Sequence, residues 1–104
     1  MNNVEARWAN RLYLFAPAYG WVYCGGATII CAETLDDAVS LGNALKDEKS
    51  PDTGKDLHLI PETTSAGEFI KEGEGKTGSW IFVEEFELAA PRRVGLVFAI
   101  ANYA

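Results

Sequence analysis

At 104 residues, with 48% hydrophobic and 23% charged side chains, the chain has the size and balance of a single folded domain with one core, and neither a disordered tail nor a multi-core chain fits it. The net charge of -6 is unevenly spread, with acids outnumbering bases 14 to 5 between Glu33 and Glu87. Coulomb repulsion then opposes direct nucleic-acid binding, and a basic protein surface is the natural complement.

The first ten residues are polar apart from Val4 and Trp8, so a short helical turn or ordered arm tied down by Trp8 is expected. No apolar signal-peptide core is present there, which points to a cytoplasmic location. Arg11–Ala16 reads as a strand ended by Pro17, and Pro17-Ala18-Tyr19-Gly20 turns the chain into Trp21–Cys24. Gly25-Gly26 is either a tight turn or a bulge. Because Trp21–Cys24 and Ala27–Ala32 are both apolar on both faces, one long bent strand is favoured. The apolar stretch from Leu12 to Ala32 is broken by Pro17, Gly20, Gly25 and Gly26, which argues for strands and against a membrane helix. Cys24 and Cys31 lie on opposite faces or far apart in either register, so buried free thiols are expected.

Thr34 has the position of a helix N-cap, with Asp36 and Asp37 in the first turn where the helix dipole favours negative charge. Leu35, Ala38, Val39, Gly42 and Leu45 follow at helical spacing and predict an amphipathic helix over about 34–46. Gly42 costs that helix roughly 1 kcal/mol relative to alanine, so close approach to a sheet residue is expected there. Lys46–Asp56 reads as a solvated loop, Leu57–Ile60 as a short strand stopped by Pro61, and Ser65–Glu68 as a capping box opening a helical turn with Phe69 and Ile70. Glu72–Gly78 is a second loop. Trp80–Leu88 and Val94–Ile100, split by Ala89-Ala90-Pro91-Arg92-Arg93, read as an antiparallel hairpin. A bulge at Glu84-Glu85 is expected to put Ile81, Val83, Phe86 and Leu88 on the core face and Trp80 and Phe82 on the other, because a buried unpaired carboxylate is costly. The fold class these elements predict is α+β, in one domain spanning 1–104. Its mainly antiparallel sheet has four or five strands, with the helix packed on one face.

No catalytic constellation emerges. His58 is the only histidine, Glu84, Glu85 and Glu87 read as a solvated face, and Gly73–Gly78 lacks the spacing of a phosphate loop. No enzyme activity, metal or cofactor is therefore expected. Two surfaces remain. One is acidic: Asp47, Glu48, Asp52, Asp56, Glu72 and Glu74. The other is aromatic: Trp21, Tyr23, Trp80 and Phe82, a partner or dimer interface on the face opposite the helix. In size, acidity and acidic loops the chain resembles small phage-encoded inhibitors of host defence of the anti-CRISPR type, a group with no common motif. The resemblance implies a non-enzymatic module that blocks a nucleic-acid-binding surface of a protein partner, its carboxylates standing in for phosphates. The alternative is a small dimeric ligand-binding or regulatory domain, so that an obligate homodimer favours the second reading and a monomer the first. Neither reading involves a membrane.

Overall fold

The computed structural model describes residues 7–18, 24–46, 48, 59–60, 68–72 and 79–103. Alternating side chains on the first strand, β1 (Trp8–Ala18), set the plan, because Tyr13 and Phe15 are fully buried while Leu12 and Leu14 on the opposite face are only half-buried. Antiparallel to β1 on one side runs β2 (Cys24–Cys31), with Leu12 opposite Cys31 and Leu14 opposite Ile29. Gly25 and Gly26 pair in this strand with Asn102 and Ala101, so from Cys24 onward one strand runs through the glycines without a tight turn, and the bulge expected there is found instead between Ile29 and Ile30.

The helix α1 (Leu35–Leu45) starts where its cap predicts, with the Asp37 N–H donating to Thr34 Oγ1 at 3.1 Å. It lies over the Tyr13 and Phe15 face and buries Ala38 and Gly42. The expected close approach at Gly42 is present: a Cβ there would stand 2.7 Å from Cγ and Cδ2 of Phe69. Phe69 is itself held by Phe15, edge to face at 5.0 Å, and by Trp80, stacked at 5.9 Å. The ring therefore has nowhere to go. We expect Gly42→Ala to gain about 1 kcal/mol of helix propensity and to lose about 1–3 kcal/mol to overpacking. Urea titration should show the variant less stable than the parent, and a more stable variant would mean that Phe69 is free to shift.

Three expectations are corrected in the remaining elements. Phe69 and Ile70 form β3 (Phe69–Ile70), a short strand parallel to the next one, rather than part of a helical turn. The long strand β4 (Ser79–Arg93) continues past the anticipated hairpin loop and pairs with β1, from Ala18 opposite Ser79 to Trp8 opposite Arg93, with a shift of register between Glu87 opposite Arg11 and Arg92 opposite Ala9. The last strand, β5 (Gly95–Tyr103), pairs with β2 and not with β4. The sheet order is β3-β4-β1-β2-β5, antiparallel except for the β3–β4 pair. The class is thus α+β, with the sheet curled into a half-barrel. At the curl the chain passes from β4 to β5 through Val94, whose N–H donates to the Arg7 carbonyl at 2.8 Å, and Gly95 takes a φ of 147°, a value that favours glycine. A hairpin and this arch share the same local pattern of two apolar runs around a break, so periodicity cannot tell them apart.

The bulge in β4 exists, one residue earlier than expected. Phe15 faces Phe82 and Leu14 faces Glu84, which leaves Val83 as the extra residue. Its effect on the faces is the reverse of the expectation: Trp80 is 0% exposed and Phe82 packs against the core, while Val83 and Phe86 are exposed. Trp8 lies within β1 and is exposed, so it does not anchor an arm. Leu59 and Ile60 form a bend, with the Leu59 N–H donating to the Glu48 carbonyl at 2.7 Å, rather than the end of a strand. The expectations for residues 19–23, the Ser65 capping box and the 73–78 loop lie outside the described residues.

Candidate interaction surfaces

The face of the sheet turned away from α1 is built from register. Leu12 faces both Phe86 and Cys31, Leu14 faces Ile29, Ile29 faces Phe98, and Ala27 faces Ile100. Residues directly opposite one another in a sheet share a face, so these side chains form one apolar surface across four strands. Its outer members are open to solvent: Phe98 is 49% exposed, Phe86 and Ile100 40%, and Val83 54%. Exposed apolar patches of several hundred Å² are the usual mark of an interaction surface on a folded chain.

The predicted aromatic surface is redistributed. Trp80 and Phe82 belong to the core on the helix side, with Phe82 within 6.1 Å of both Tyr13 and Phe15. Trp80 is thereby withdrawn from any interface, while Phe82 is half-buried. Trp21 and Tyr23 lie outside the described residues, as do Asp47, Asp52, Asp56 and Glu74 of the acidic set, while Glu48 and Glu72 are described and exposed. Sequence reasoning missed Phe86, Phe98 and Ile100. The second apolar run, in which neither face is polar, predicts a strand inside the sheet and covered on both sides; β5 instead lies at the edge, with Phe98 and Ile100 exposed.

Ion pairs lie around the outside. Arg7 donates to Glu33 at 2.7 Å, Arg11 to Glu85 at 2.6 Å, and Lys71 contacts Asp36 at 2.7 Å. The hydrogen bond to Glu33 holds Arg7 above its usual pKa, and that to Asp36 does the same for Lys71. A shallow groove of about 270 Å³ lies between the helix and the β4–β5 crossing, lined by Arg7, Glu33, Asp37, Ser40, Leu41 and Val94. Its one guanidinium is already engaged by Glu33. Among the described residues no three of His, Cys, Asp and Glu come together as metal ligands, and no helix is long and apolar enough to cross a membrane.

Cys31 is buried at the curl, its thiol directed at the Ala9 carbonyl at 3.4 Å and the Arg92 carbonyl at 3.6 Å. Burial pushes its pKa above the ordinary value near 9, against weaker opposing effects of Arg92 and the Ala9 carbonyl. The unfolded chain therefore gives up this proton first as pH rises, and stability falls above about pH 9 while staying level with respect to this group below it. We expect the urea midpoint to drop less between pH 8 and pH 10.5 in Cys31→Ala than in the parent. Equal drops would show that the thiol takes no part in the linkage. In comparisons with known proteins, the chain matches no family model, no curated protein and no solved structure.

Proposed function

We propose that this chain is a non-enzymatic protein-binding module whose contact surface is the helix-free face of its sheet. One observation carries the reading: Val83, Phe86, Phe98 and Ile100 are left open on one side of a sheet whose other side is already filled by α1 and by the side chains of Phe69 and Ile60. Covering such side chains returns about 25 cal/mol for each Å² removed from water, and aromatic anchors contribute most.

The finer proposal concerns what is bound. The resemblance to phage inhibitors suggests a host defence complex whose nucleic-acid-binding surface is blocked, and the exposed Glu48 and Glu72 are the described members of the acidic set that would face its lysines and arginines. Binding to a candidate complex, measured at low and at high salt for the parent and for Phe86→Lys, decides between the two surfaces. An apolar contact survives salt and is lost in Phe86→Lys; a phosphate-mimicking contact is lost in salt and survives the substitution. Binding that tolerates both changes would overturn the open face as the contact surface.

A further inference from the structure

Three lengths of strand edge are unpaired by any described strand: the outer side of β3, β4 beyond Ile81, and the outer side of β5. An unpaired edge offers a row of N–H and C=O groups to any strand that approaches, and folded proteins normally blunt it. The β3 edge is plugged, because the Asn43 side chain accepts from the Phe69 N–H at 2.8 Å and donates to the Phe69 carbonyl at 3.2 Å. The β4 edge is guarded by Glu84, Glu85, Glu87, Pro91, Arg92 and Arg93 and by two shifts of register. Among the described residues the β5 edge has no such device: Gly95–Tyr103 contains no charged residue and no proline, and after the shift at Val97 its pairing with β2 is regular from Phe98 to Tyr103.

We propose that two copies of this chain pair edge to edge through β5, antiparallel about a two-fold axis, so that their sheets become continuous. Three observations select a second copy as the occupant. Among the described strands β5 alone offers an open edge, and pairing through a single edge closes at two copies and cannot propagate. A chain of net charge -6 approaches its own copy most readily across a surface without charge, and β5 places no like charges opposite one another. Phe98 and Ile100 lie on the same face of β5, so the two-fold merges both pairs into one strip that covers side chains 49% and 40% exposed in the single chain. A strand edge and four side chains fall short of the roughly 800 Å² per partner of a standard interface, so the dimer is concentration-dependent. This inference goes beyond the proposed function: it takes up Phe98 and Ile100 of the proposed contact face and leaves Val83 and Phe86 to the partner, so different variants test the two. Val83 and Phe86 are on β4, across β1 and β2 from β5, and stay open in the dimer. A dimer therefore no longer argues against a partner-binding role.

The test is light scattering on the full chain over a concentration series, with Phe98→Lys and Ile100→Lys as variants and Phe86→Lys as control. The mass should rise from 11.3 kDa toward twice that value, each β5 lysine should weaken association by about tenfold or more, and Phe86→Lys should leave it unchanged. Amide exchange over residues 98–103 of the unsubstituted chain should slow as concentration rises, which reads the same edge without any substitution. A chain that stays monomeric at all concentrations, assembles without limit, or loses its dimer in Phe86→Lys but not in the β5 variants overturns the proposal.

Discussion

Phe69→Ala is expected to lower the unfolding free energy by about 3–5 kcal/mol, the range for removing a buried phenyl ring from a core that cannot collapse around the gap. Phe69 is 1% exposed and serves three neighbours at once. Its ring fills the space that Gly42 leaves in α1, stacks on Trp80 and meets the edge of Phe15. Removing it takes the main spacer from between helix and sheet. Urea titration of the variant against the parent measures the loss; a change below about 1 kcal/mol would mean that the helix settles onto the sheet and closes the void. The pair with Gly42 gives a sharper check. If crowding is the reason alanine is excluded at position 42, the cost of Gly42→Ala should shrink in a Phe69→Leu background, and additive costs would separate the two sites.

The second large effect is expected at Asn43→Leu, at about 2–4 kcal/mol. The Asn43 side chain bonds to both backbone groups of Phe69, and its amide acts there as one more peptide unit along β3. Leucine leaves a donor and an acceptor unpaired in a half-buried setting, each costing about 1–3 kcal/mol, with the lower end applying where water can reach. Asn43→Asp separates shape from chemistry. The carboxylate still accepts from the Phe69 N–H but repels the Phe69 carbonyl, so this variant should be less stable than the parent at neutral pH and recover part of the deficit as the carboxyl takes up a proton near pH 4. A pH-independent deficit would show that the carbonyl contact contributes nothing.

The helix was legible because its signals are local. Thr34, Asp36, Asp37 and the spacing of Ala38 and Gly42 all act within one or two turns, and the structure places the cap and the buried stripe where they predict. The glycine in mid-helix even carried the tertiary message that something comes close. Strand identity in β1 and β2 was equally readable from apolar, β-branched and aromatic runs. Partner choice between strands was not, because Trp80–Leu88 followed by Val94–Ile100 has the same pattern whether the two runs pair with each other or with β1 and β2. The candidate surface failed for a related reason. Side chains alternate with a period of two, so displacing the bulge from Glu84-Glu85 to Val83 turned Trp80 and Phe82 inward and Phe86 outward. The direction of Phe98 and Ile100 followed only from knowing that β5 lies beside β2.

The place of β1 in the middle of the sheet has a consequence for synthesis. A ribosome releases β1 and β2 early, and these can zip together within microseconds, yet the opposite flank of β1 has no native neighbour until residues 79–93 emerge. Throughout that interval Leu12, Leu14, Tyr13 and Phe15 belong to a two-stranded ribbon too small to be stable by itself. The nascent chain thus exposes β1 well before β4 can cover its flank. Chaperone demand during translation should accordingly concentrate on β1 and β2 and fall once β4 has emerged.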